Sequence, residues 1–266
     1  MAAAASGTFF DFFYQLYAYR EYLRQSVKRD LTTKYKRSAL GYLWTMLHPL
    51  GMMLVLTVVL SHIVKLQMRD FAVFFLSGLI AWNYFNSTVM MSLHSIRSNA
   101  RLFGQIAVPR YIFIISIAAS NLFNYFVALA PLCLVTLFVG RDLHASALLW
   151  PLMVLPLVFV TVGVALVLAV SNVFFEDTYH LVEVGMNALY FLLPVLYGRD
   201  LLPPWLVKWL VLNPLFCQIE FVRGIFYEGS LPSLPVYILN LSASGLVLMF
   251  GLWVFRRSED KFLYFV

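Results

Sequence analysis

With 266 residues, 62% of them hydrophobic and only 12% charged, the chain is too apolar for a soluble globular domain, since average chains carry roughly twice that charged fraction. The net charge of +6 does not read as a nucleic-acid footprint, because the basic residues cluster beside apolar runs, where topology and lipid headgroups account for them. Cys133 and Cys217 both lie in apolar context, without metal-ligand spacing to a His, and read as buried inert thiols.

The first eight residues are small-residue filler, and the following fifteen are too aromatic and charged for a signal core, so no secretory signal is expected. Phe12 to Tyr35 then reads as an amphipathic helix. Phe12, Leu16, Tyr19, Leu23, Val27 and Leu31 recur at helical intervals, with Arg20, Arg24, Lys28 and Arg29 largely between them. Such a helix lies in the membrane interface with its apolar face down; the alternative is a cytosolic helix packed on a partner. Residues 1–38 are therefore set apart as a cytoplasmic tail and interface helix, and 39–266 as the membrane domain.

Lys34, Lys36 and Arg37 fall within four positions and abut a long apolar run, which fixes that end on the cytoplasmic side. Trp44 is expected at headgroup depth. Six segments near the roughly 20 residues that cross a bilayer follow. They are about Leu43 to Val64, Phe71 to Ser92, Ile112 to Val139, Ala147 to Phe174, Leu181 to Tyr197 and Leu234 to Phe255. The third and fourth are long and should tilt or protrude. Six spans put both termini on one side. Thirteen Lys and Arg then fall inside and six outside, which favours cytoplasmic ends.

Two connections stand out. Leu93 to Arg110 is polar and basic, with helical spacing of Ile96, Leu102 and Ile106 and a stop at Pro109. Gly198 to Ser233 holds two apolar pieces too short to span, broken by Pro203-Pro204 and Asn213-Pro214. These read as two short re-entrant or interfacial helices on the outer side, because non-helical backbone at membrane depth survives only inside protein or beside water. An amphipathic loop lying flat is the other reading.

The span interiors hold almost no ionisable residues; His48 and His62 lie near the ends of the first and Glu183 near the start of the fifth. That argues against an ion-coupled carrier, which binds its driving ion with carboxylates at depth. None of the thirteen glycines is followed by Lys, so the chain contains no G-x-x-x-x-G-K-[ST] phosphate loop. If ATP drives the process, a separate ATPase subunit must bind, and Leu93 to Arg110 is its natural dock. The Glu176-Asp177-x-x-His180 turn can be read as a metal or acid/base site, but it is a short solvated connection with no partner cluster. Phe71, Phe74, Phe75, Trp82 and Phe85 share one face of the second span, and Tyr190 and Tyr197 one face of the fifth. They read either as lipid-facing bulk or as flat apolar faces for sugar rings.

Tyr35-Lys36-Arg37-Ser38-Ala39-Leu40-Gly41-Tyr42-Leu43-Trp44, followed by His48-Pro49-Leu50, resembles the approach to the first membrane helix of type-2 ABC exporter permeases, above all the polysaccharide branch. There a Y-(K/R)-x-S-x-L-G-x-L-W run precedes an Asn-Pro or similar pair. The resemblance covers nearly the whole chain and is weakest before about Phe12. Val108-Pro109-Arg110 matches the end of that family's coupling helix, Phe174 to Asp177 its second cytosolic turn, and Leu212-Asn213-Pro214-Leu215 another of its patterns.

The resemblance implies an all-α membrane protein with six spans, an N-terminal interface helix and two re-entrant helices, about 198–233, before the last span. It implies a homodimer with two ATPase subunits that carry ATP and Mg, exporting a polyprenyl-linked polysaccharide such as O-antigen across the bacterial inner membrane. This chain then holds no cofactor, metal or catalytic group. Asn99, Arg101, Leu102, Glu176 and Asp177 are the expected ATPase-coupling residues. Trp82, Phe85, Tyr190 and Tyr197 are the expected substrate path. A drug or small-lipid exporter of the same architecture is the first alternative. A membrane-embedded transferase is the second, and for it only Glu176-Asp177 approaches the paired acids such chemistry needs.

Overall fold

The computed structural model describes residues 9–36, 38, 40–64, 68–100, 108–140 and 149–265. Within them every regular element is helical. Helices α1 (Phe9–Ala18) and α2 (Arg20–Tyr35) form a single arm with a slight break at Tyr19, across which hydrogen bonds continue from Tyr19 N to Gln15 O and from Leu23 N to Tyr19 O. The arm shows the expected sidedness: Phe12 and Leu31 are buried, while Arg20, Arg24, Lys28 and Arg29 are exposed. Part of the apolar face is covered by the chain itself. Phe12 meets Tyr111 and Tyr22 meets Phe113, at ring separations of 5.7 and 6.2 Å, and the Tyr111 hydroxyl donates to Gln15 Oε1.

The turn from α2 into α3 (Leu43–Val64) gives the recognised motif a physical basis. Gly41 has φ +49°, the left-handed region that glycine enters without Cβ conflict, and its N–H donates to Ser38 Oγ at 3.1 Å. The Ser-x-x-Gly of the motif is therefore a joint.

Helix α4 (Met68–Leu93) is central, packing against α3, α6 (Tyr111–Phe138), α7 (Trp150–Phe174), α8 (Thr178–Leu192) and α10 (Pro214–Arg223). A one-turn α5 (Ser95–Ser98) follows it. Helix α7 crosses α11 (Leu234–Ser258) at small residues. A Cβ added to Gly163 would lie 2.6 Å from the Val247 carbonyl atoms, and one on Gly251 would collide with the Gly163 carbonyl. Close backbone approach of this kind is how helices gain packing where lipid offers no hydrophobic drive.

Tyr111–Phe138, Trp150–Phe174 and the last helix, Leu234–Phe262, are each long and apolar enough to cross a membrane. The short helices α9 (Pro204–Leu210) and α10, the latter continued by a π-turn to Glu228, make a fourth apolar unit bent by 100°. The other expected spans are helical but less clear-cut. Helix α4 has the length, yet its middle carries Asn83, Asn86 and Ser87. Helix α8 stops after 15 residues, because Pro194 forces Leu193 into extended backbone (ψ 141°).

The α9–α10 break falls at Asn213-Pro214, as the prolines predict. Asn213 Oδ1 accepts from Leu215 N at 3.0 Å, and Pro214 occupies the first turn, where a missing N–H costs nothing. Helix α10 is buried and tied to α11: Gln218 Nε2 donates to Asn240 Oδ1 at 2.6 Å, and Asn240 Nδ2 to Pro214 O at 3.1 Å.

Candidate functional site

One end of the bundle brings the two predicted coupling loops together. Arg97 of α5 donates through Nη1 to Glu176 Oε1 and through Nη2 to Val173 O at 3.1 Å. Asn172 Nδ2 donates to Leu93 O at 2.8 Å, which satisfies a carbonyl that the end of α4 leaves free. The His94 and Tyr179 rings lie 4.8 Å apart. At the same end Arg110 reaches the C-terminal turn, its N–H donating to Glu259 Oε1 at 3.0 Å and its guanidinium to Glu259 O. Phe262 plugs the underside against Phe255 and Phe174.

Of the expected coupling residues, Glu176 and Asp177 are exposed, and Glu176 makes the ion pair with Arg97. Asn99 is partly buried and its amide donates to Ser95 O at 2.7 Å, so it caps α5. Arg101 and Leu102 lie outside the described residues. In the sequence Arg97 is one of the thirteen basic residues counted on the inner side, with no further role. Its signal was available, since a basic loop and an acidic turn on the same membrane side invite a pair.

Three of the four predicted path residues meet. Trp82 lies 5.4 Å from Tyr190 and 6.1 Å from Phe85, ring centre to ring centre. Trp82 and Phe85 are buried beneath the half-buried Tyr190, and Phe71 and Phe75 of the same α4 face are buried too. This face packs within the chain instead of forming lipid-facing bulk. Tyr197 stands apart, its hydroxyl donating to Phe191 O at 2.7 Å and folding the end of α8 back on itself.

Two features lie outside the sequence-based expectations. The first is Arg223 on α10, 3% exposed. It donates to Glu220 Oε1 at 2.8 Å and to Pro194 O at 2.7 Å, with its guanidinium 3.5 Å from the centre of the Phe74 ring. Gly78 leaves it room, since a Cβ there would sit 3.2 Å from the guanidinium. The second is a cavity of about 420 Å³ between α3, α4 and α6, lined by Trp44, His48, Asn83, Asn86, Asn121 and Asn124 among others. Among the described residues no three His, Cys, Asp or Glu side chains converge as a metal site would require.

Residues 21–227 match the ABC-2 type transporter family. The chain is 30% identical, over 88% of its length and 90% of the relative's, to the O-antigen export system permease protein RfbA of Klebsiella pneumoniae. A Myxococcus xanthus protein of the same name is 27% identical over 93% of this chain and 96% of its own. The polysialic acid transport protein KpsM of Escherichia coli is 28% identical over 88% and 92%. With several apolar helices of membrane-crossing length and a match spanning most of its residues, the chain is a multi-pass membrane permease and belongs to the ABC-2 type transporter family.

Proposed function

We propose that the chain is the membrane subunit of an ATP-driven exporter that moves a lipid-linked, O-antigen-like polysaccharide across the bacterial inner membrane. The similarity over nine-tenths of its length to permeases named for O-antigen export carries this reading. Two copies form the channel and two separate ATPase subunits supply the energy, since no glycine of this chain is followed by the lysine a phosphate loop needs. Six spans with both termini cytoplasmic follow from the excess of basic residues on that side, with α3, α4, α6, α7, α8 and α11 as the spans and α9–α10 re-entering from outside. The burial of α10 and the hydrogen bonds that join Gln218 and Pro214 O to Asn240 support the re-entrant reading, because backbone at membrane depth needs such cover.

In this scheme the ATPase pushes on the face around Asn99, Arg101, Leu102, Glu176 and Asp177. The Arg97–Glu176 pair ties the two loops, so a push on either moves the end of α4 and the start of α8 together. Tyr190 and Tyr197, backed by Trp82 and Phe85, offer flat apolar faces past which a sugar chain slides without being trapped by charge. The test is co-purification: the tagged chain should bring down an ABC ATPase, and a strain lacking the chain should lose surface polysaccharide while retaining lipid-linked glycan inside. Normal surface polysaccharide in that strain overturns the reading.

A further inference from the structure

Arg223 has no part in the export scheme, yet its burial is unfavourable in itself, since a guanidinium only 3% exposed has given up its water. Its contacts divide into two sets. Nη1 donates to Glu220 Oε1 at 2.8 Å, three residues back on the same helix. Nη2 crosses to the turn that ends α8, donating to Pro194 O at 2.7 Å, with Val195 O at 3.5 Å. The third nitrogen, Nε, has no hydrogen-bond partner, and the guanidinium carbon stands 3.5 Å from the centre of the Phe74 ring.

That division decides what the contact can do. A clamp that joined two elements through an ion pair would have to pull buried charges apart in order to open. Here the ion pair lies within α10 and travels with it. What crosses to α8 is a hold on neutral carbonyls, which is strong because the donor is charged and which breaks without leaving an unpaired ion behind.

Helix α8 has few other fixed points. Among the described residues of α8 only Met186 is buried, whereas Leu193, Pro194 and Val195 in the turn beyond it all are. Just past that turn Arg199, its side chain 63% exposed, lies 3.9 Å from Glu220 Oε2. The link from α8 to α9 thus offers carbonyls to the cation of α10 and a cation to its carboxylate. Gly78 of α4 forms the floor: a Cβ there would sit 3.2 Å from Nη2, the nitrogen that reaches Pro194.

We propose that Arg223 is a positioning residue, a releasable latch that holds the end of α8 against α10. It keeps the path beside Tyr190 and Tyr197 narrow until the loops at the far end of the bundle are pushed. The proposal rests on the export reading and deepens it, naming the contact that must open for a chain to pass.

The experiment uses the full chain with its associated subunits in lipid vesicles that hold a small trapped dye, without ATP, and follows amide hydrogen exchange on the same preparation. Two variants reach the latch by different routes. Gly78→Ala keeps both charges and presses a methyl onto Nη2. The Glu220→Leu, Arg223→Met double variant removes both charges and strands neither. In each, the amides of residues 193–197 should exchange about 10-fold faster or more, the worth of one hydrogen bond to a charged group. The amides of α7 and α11 should keep their protection, which separates a released turn from a lost fold. Dye should escape several-fold faster than from wild-type vesicles. Unchanged exchange at 193–197 in both variants overturns the hold. Faster exchange there with dye retained as in wild type overturns the latch, because Arg223 then fixes a shape and not the path. The export reading is judged separately, by surface polysaccharide in a strain lacking the chain.

Discussion

Arg97 and Glu176, 79 residues apart in sequence, close the gap between the end of α4 and the start of α8. Glu176 is largely exposed, so the pair adds little to folding, of the order of 0–1 kcal/mol. Its effect should appear in transmission. Arg97→Glu should leave the melting temperature almost unchanged and lower export several-fold, and adding Glu176→Arg should restore most of it. Surface polysaccharide at matched protein level is the measurement. Equal export in the single variant would show that the two loops need no tie.

The crossing of α7 and α11 predicts a size limit. Gly163→Ala and Gly251→Ala each drive a methyl into backbone, and should destabilise the protein by about 1–3 kcal/mol or more. Gly185→Ala on α8, with open space around it, is the control and should be neutral or slightly stabilising. Thermal unfolding in detergent separates the two classes.

The buried ion pair on α10 predicts an asymmetry. Glu220→Leu strands the Arg223 guanidinium and should cost about 3–5 kcal/mol, whereas Glu220→Leu with Arg223→Met should recover much of that. Should the double variant prove no more stable than the single, the hold of Arg223 on Pro194 O and Phe74 outweighs its charge pairing.

The aromatic cluster separates stability from transport. Trp82→Leu removes a buried ring and should lower stability by up to a few kcal/mol through the cavity left behind. Tyr190→Leu, at a half-buried position, should leave stability nearly intact and reduce export. Wild-type export in a Tyr190→Leu, Tyr197→Leu double variant would remove both residues from the path.

Topology is testable with single cysteines in a background where Cys133 and Cys217 are alanine. A cysteine at Ser230 should react with an impermeant thiol reagent in intact cells, and one at Ser258 should not. Labelling at Ser258 reverses the orientation.

Helix positions and punctuation were legible because they depend on local chemistry. The prolines at 204 and 214, the amphipathic pattern of the arm and the apolar runs all act within a few residues. What the pattern could not show were meetings decided by tertiary packing. Trp82 and Phe85 have the same apolar character whether they face lipid or a neighbouring helix, so periodicity gave them a face without its partner. Arg97 was visible as a charge, but its pairing with Glu176 depends on how α4 and α7 pack. The asparagines at 83, 86, 121 and 124 are scattered over two helices, and only folding gathers them around one cavity.

The joint at Gly41 selects for handedness more than for size. A side chain there would touch nothing within 4 Å, so what excludes it is the sign of one torsion angle. L-alanine would be strained by roughly 1–2 kcal/mol and asparagine, which visits that region more readily, by less. A D-alanine introduced by semisynthesis would fit with no such strain, although it is as bulky as its mirror image. The direction in which the N-terminal arm leaves the membrane domain is thus a matter of chirality at a single α-carbon.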